Sequence, residues 1–223
     1  MLKNQIEKYD KIKQETLELA NYILSQNKTI LSAIKNKEYE LIEQVRKELK
    51  TDLRPKTDRI DNNIISTIAL FTPEARDLRE VTAFFKLTNE IIRLHSNTAS
   101  FAKKFSKHFS DDLDQECILE YAIPLHKSSI EALELAFSMI TMQDKFDVRE
   151  CFDQVQLEES KSDDLYKMVE KNILKKTKKD QEFSKDYLDI LSSLRHLEKN
   201  ADRALSIAAL MYFAKVGGEI KQS

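Results

Sequence analysis

Ser192-Ser-Leu-Arg-His-Leu-Glu-Lys-Asn-Ala-Asp-Arg203 is the stretch on which the fold and function of this chain turn. Its apolar residues recur at helical spacing, yet Glu198 and Asp202 stand one turn apart on a single face. Like charges at that spacing destabilise a helix unless something cationic compensates them. A second pair, Glu159 and Asp163, has the same spacing one helix earlier. Whether these four acids form one site governs most of what the chain can do.

The surroundings of that stretch are helical throughout. The 223 residues include only 2 Gly and 3 Pro, no Trp, and 33% charged residues. Glycine this scarce argues against β-rich folds, which need it at turns and bulges. No Gly-x-Gly or Gly-Lys-Ser/Thr motif is present, so phosphate-cradling nucleotide loops are excluded. Lys plus Arg (36) nearly balances Asp plus Glu (38), and a net charge of -2 offers no field for nucleic acid or anionic lipid. Cys117 and Cys151 are isolated, which indicates two small packed thiols and neither a disulfide framework nor a zinc knuckle. No secretory leader is visible and no apolar run approaches the about 18 residues of a membrane span, so a soluble cytoplasmic protein is expected.

The hydrophobic pattern predicts six long helices. The first runs from about Leu2 to Ile34, with Leu17, Leu24 and Leu31 on one row and Ala20 and Ile34 beside it. The second spans Glu38 to Phe71, with a kink or short break at Pro55. Thr72-Pro73-Glu74 has the composition of a helix start with Thr72 as N-cap, so the third helix should run from Pro73 to about His108. Its apolar row is Leu78, Val81, Phe85, Ile92, Ala99 and Ala102. Ser110–Asp114 should cap a fourth helix that reaches Met142 and kinks at Pro124; the fifth covers about Asp147–Lys176. The sixth starts near Phe183 and stops at Gly217-Gly218, where a left-handed cap wants glycine. A displacement of about 106 residues lays Lys86–Ala102 over Ser192–Ala208. The expected fold is therefore all-α, two pseudo-symmetric three-helix bundles over residues 1–109 and 110–223.

In the fifth helix the seam is Val148, Phe152, Val155, Glu159, Ser162, Tyr166, Val169 and Ile173; in the sixth it is Leu191, Leu194, Glu198, Ala201, Leu205, Ala208 and Tyr212. Each glutamate takes a position that the pattern otherwise gives to apolar or small residues. Half-buried carboxylates are costly unless paired or metal-bound. Oxygen-rich ligands favour Mg, Ca, Mn or Fe, and facing helices can supply them convergently. The plainer alternative is that the four are stripe-edge residues salt-bridged to Lys199, Arg203 or Lys161. His95, His108, His126 and His196 are scattered and complete no Glu-x-x-His motif, which counts against a di-iron carboxylate enzyme. The basic stretch Lys171–Lys179 is a solvated turn or a contact for phosphate or headgroups.

Thr72-Pro-Glu-Ala-Arg-Asp-Leu-Arg79 resembles the Pro-x-Ala-x-Asp-Leu-Arg signature of the PhoU family, the phosphate-uptake regulators. Glu198-Lys-Asn-Ala-Asp202 resembles that family's repeated Glu-Arg-Ile-Gly-Asp motif, and Glu159 with Asp163 its partner motif on the preceding helix. The resemblance implies two three-helix bundles and a cytoplasmic, dimeric, non-enzymatic regulator of phosphate uptake and phosphate-starvation signalling. Its implied partners are a phosphate ABC transporter and a membrane sensor kinase, with membrane association only through them. It also implies that Glu159, Asp163, Glu198 and Asp202 hold a divalent or ferric ion, Fe, Zn, Mg or Mn, unless the acids are merely paired and no metal is bound. The first half departs from the pattern: Ile92 and Ser96 replace both acids, and Lys56 stands opposite Asp163, although Asp52 survives. A single second-half site is therefore expected, the alternative being a metal-free helical adaptor.

Overall fold

A computed structural model describes residues 2–179 and 181–218, and every regular element among them is a helix. In chain order these are α1 (Leu2–Asn36), α2 (Tyr39–Glu48), α3 (Arg54–Phe71), α4 (Ala75–His108), α5 (Gln115–Ser138), α6 (Lys145–Lys179) and α7 (Ser184–Lys215). The predicted second helix is thus two. Leu49 closes α2, and Pro55 enters the first turn of α3, where its missing N–H goes unneeded. Asp52 accepts a hydrogen bond from the Arg54 N–H at 3.0 Å, which holds the interrupted segment. By contrast, α5 continues through Pro124.

The helix ends show where local chemistry acts. α1 stops on Lys37, in the left-handed region at φ 61°. Its N–H reaches the Ile34 carbonyl at 3.3 Å and the Glu38 N–H reaches that of Ala33 at 2.8 Å, the paired bonds of a Schellman motif. Thr72 is not the N-cap of α4. It is left-handed at φ 44° and closes α3, while Glu74 precedes α4. Asp114 caps α5 by accepting from the Cys117 N–H at 3.0 Å. Gly217, at φ 94°, donates its N–H to the Phe213 carbonyl at 3.1 Å and ends α7 as the sequence indicates.

Helices α1, α2, α3 and α4 pack together, as do α5, α6 and α7, and the two groups join mainly along α4 and α7, with α1 also against α5. The cores do not respect the boundary between units. One cluster combines Ile12, Phe84 and Ile91 with Leu133, Phe152 and Ile207. The other joins Ile30, Val45 and Phe101 to Leu125, Val169 and Leu194. In α1 the buried row is Ile12, Leu19, Ala20, Ile23, Ile30 and Ala33, whereas Leu17 and Leu24 border the core. In α4 Val81 and Ala102 of the expected row are buried with Phe84, Leu87 and Ile91, whereas Leu78 and Phe85 face outward. A helix packed on both α1 and α7 buries a wide arc, so a single apolar row chosen from sequence captures only part of the buried face.

The two clusters meet at a polar layer. Asn27 on α1, Thr98 on α4, His126 on α5 and Asn200 on α7 are all fully buried. Asn27 donates to Thr98 at 3.0 Å, and its carbonyl oxygen lies 3.4 Å from both His126 Nε2 and Asn200 Nδ2. Buried polar groups are costly unless paired, so these contacts tie the two units in one register, with Asn200 Oδ1 and His126 Nδ1 left unpartnered.

Candidate functional site

The acidic pairs come from two facing helices, α6 and α7, whose seams follow the predicted pattern except that Glu159, Leu205 and Tyr212 are only half-buried. Val148, Val155, Ser162, Val169 and Ile173 on α6 are buried, as are Leu194, Ala201 and Ala208 on α7. Glu198 is carried into this seam and is only 5% exposed. Glu159, Asp163 and Asp202 are half-buried beside it.

The four carboxylates share one electrostatic environment. Burial first, and the Asp202 charge next, push the Glu198 carboxyl up to about 7. Burial likewise raises Asp202, with Asp163 adding to it against Arg203 and Arg195. Glu159 is raised by burial and then by Asp202 and Asp163. Acids of two helices therefore act on one another across the seam, the arrangement in which a cation is most favourable.

Arg203 and Lys199 offset the acids only at a distance, and the direct ion-pair partners are others. Lys161 pairs with Glu158 and Glu131, and Arg203 crosses to Glu90 on α4 at 3.0 Å. Instead Arg195 reaches Glu198 at 3.1 Å and Lys167 reaches Asp163 at 2.6 Å. Both lie at helical spacing from their acids, three and four residues away, so the intrahelical pair rule was the signal that could have found them. Among the described residues Glu159 and Asp202 form no ion pair, and Glu198 Oε2 and Ser162 Oγ are buried without a hydrogen-bond partner.

This donor set suits a hard cation: all-oxygen, anionic, with one orphaned buried oxygen. The cage is not closed, however. Among the described residues the one His/Cys/Asp/Glu group whose ligand atoms all lie within 4.8 Å of one another is His108, Asp186 and Asp189. There the His108 Nδ1 contacts Asp186 at 3.3 Å and Asp189 at 3.4 Å. Histidine and aspartates are some eighty residues apart in sequence, so only the fold shows this group. In the first unit Ile92 is half-buried and Ser96 exposed, and neither is a strong metal ligand. His95 is buried with Nε2 unpartnered, its basicity lowered by burial against the opposing charge of Asp52.

The basic stretch of α6 is helical to Lys179, and its Lys176 pairs with the capping Asp114. Among the described residues no helix is long and apolar enough to cross a membrane.

Fold and site together define an all-helical bundle whose last two helices carry an acidic seam between them. The family model for the PhoU domain matches residues 16–104 and again 124–211, and the chain belongs to the PhoU family. Its structure is similar to that of the phosphate transport system regulatory protein PhoU from Streptococcus pneumoniae, with a TM-score of 0.81 and 20% identity over 98% of this chain and 100% of that one. PhoU from Pseudomonas aeruginosa is similar to the same degree, TM-score 0.81 at 17% identity, covering 98% and 100% of the two chains. No curated protein matches the sequence.

Proposed function

We propose that this protein regulates phosphate transport and phosphate-starvation signalling by docking helix faces on a phosphate ABC transporter and a membrane sensor kinase. Membership of the PhoU family in both halves of the chain is the observation that carries this proposal. The protein acts as a cytoplasmic homodimer, binds no nucleic acid, catalyses no reaction, and meets the membrane only through its partners. Its two repeats cover residues 1–109 and 110–223. Deleting the gene and measuring phosphate uptake in phosphate-replete cells is the test, with co-purification of transporter subunits beside it. Uptake that stays repressed in the deletion strain, with no transporter captured by the tagged protein, sinks the proposal.

Within that role, Glu159, Asp163, Glu198 and Asp202 hold a divalent or ferric ion that neutralises the acids and fixes α6 against α7. The orphaned buried oxygen of Glu198 and the mutual effect of the four carboxylates support this. The expected result is metal in the purified protein, absent from a Glu198→Ala/Asp202→Ala double variant, and a chelator-sensitive melting temperature. A protein without metal and with unchanged melting under chelator leaves the second possibility, a metal-free helical adaptor. The pairing of two of the four acids with Arg195 and Lys167 is what favours that alternative.

A further inference from the structure

The cation that meets Glu198 stands on its own helix, one turn earlier. Arg195 places Nη1 3.1 Å from Glu198 Oε1, and the partners are unequal: the arginine side chain is 47% exposed and the glutamate 7%. The same guanidinium lies over the Tyr166 ring of α6, with Cζ 4.8 Å from the centroid. Only one carboxylate oxygen is engaged, since Glu198 Oε2 is buried and unpartnered.

We propose that Arg195 is a removable counter-ion, which neutralises Glu198 in the metal-free protein and surrenders it to an incoming divalent cation while keeping its seat on Tyr166. The proposal rests on the reading of Glu159, Asp163, Glu198 and Asp202 as a metal site. A carboxylate taken this far from water needs a cation beside it whenever it is ionised. Arg195 supplies one without blocking exchange, because a half-exposed guanidinium on a flexible stem is rehydrated readily when it lets go. Tyr166 gives it a second attraction, by cation–π contact, that does not depend on the acid. A divalent cation carries twice the charge and can gather oxygens from both helices, whereas Arg195 reaches a single oxygen. Metal binding at this seam is therefore an exchange of one cation for another, and Arg195 weakens the apparent affinity.

Calorimetric titration of Mn(II) into the wild-type protein and the variants Arg195→Gln, Lys199→Gln and Glu198→Gln tests this. Arg195→Gln should bind about tenfold more tightly than wild type, as expected when one close charge pair no longer has to be broken. Lys199→Gln removes a positive charge one turn further along the same helix without removing an ion pair to Glu198, and should stay within about twofold of wild type. Glu198→Gln should bind far more weakly. Equal tightening in Arg195→Gln and Lys199→Gln, or an unchanged affinity in Arg195→Gln while wild type binds, overturns the counter-ion role and leaves the metal site standing. No binding by wild type or Arg195→Gln overturns the metal site and the counter-ion role together.

Discussion

Lys215 Nζ, on a side chain with no solvent exposure, lies 2.8 Å from Glu80 Oε1 and so ties the last turn of α7 to the start of α4. Lys13 of α1 joins the same oxygen at 2.9 Å. Burial pushes the Glu80 carboxyl up, yet the two ammonium groups hold it below the ordinary carboxylate range, while burial lowers Lys215. The three charges join both units at one end of the molecule.

Removing one member of such a pair strands the other. Glu80→Ala should cost about 3–5 kcal/mol in urea unfolding, because it leaves Lys215 buried and uncompensated. Lys215→Met should cost much less, since Glu80 keeps Lys13 and the methionine fills the space. Equal losses in the two variants would count against a buried-charge origin.

The polar layer makes stability sensitive to acid. Burial, and then the Lys35 charge, bring the His126 imidazole from 6.5 down to about 3. The unfolded chain therefore takes up a proton below 6.5 that the folded chain refuses until about 3, and stability is complete above 6.5 and lost as pH falls through that window. One such proton is worth about 1.4 kcal/mol per pH unit. His126→Gln should flatten the acid limb of urea unfolding between pH 6 and about 4. The flattening should be partial, because His196, brought down to about 4 by burial and by Lys104 and Lys199, acts in the same direction.

Glu198 has the opposite sign. Its carboxyl is raised from 4.5 to about 7, so the folded state keeps a proton that the unfolded state releases. In metal-free protein the stability tied to this group is full below 4.5 and is lost as pH rises to about 7. Glu198→Gln should therefore be the more stable protein at pH 8, by about 1–3 kcal/mol, with the gap closing as pH falls towards 4.5. A wild-type profile parallel to that of the variant would rule out a raised carboxyl.

Two helix ends should respond in opposite directions to glycine. Lys37 holds a left-handed φ of 61° with a side chain that disfavours it, so Lys37→Gly should stabilise by about 1 kcal/mol. At Gly217, with φ 94°, the nearest atoms to an added methyl group would be those of the Arg79 guanidinium, at an unstrained 3.7 Å. Gly217→Ala should therefore destabilise by about 1 kcal/mol through backbone strain alone. Paired thermal melts would show both shifts.

Much of the helical order was legible beforehand because capping and periodicity are local. Pro55, Asp114 and Gly217 act at the ends of helices as their chemistry dictates. Thr72 misled because Thr-Pro-Glu has the composition of an N-terminus, whereas the preceding helix needed a left-handed residue to stop on. The α4 core was caught only in part, at Val81 and Ala102, for a different reason: its burial comes from several helices, and no single stripe records that.

By itself the sequence determined an all-helical chain, its near-duplication, and the placement of Glu198 on an otherwise apolar face. Those are properties of spacing along one helix, and spacing is what a sequence records. Only the tertiary structure decided which acids act on one another, which cations answer them, and that His108 meets Asp186 and Asp189. It also brought Asn27, Thr98, His126 and Asn200 into one buried layer from four helices. Those facts depend on how helices distant in sequence are rotated against one another, and that rotation is set by the whole packed core and not by any one stretch.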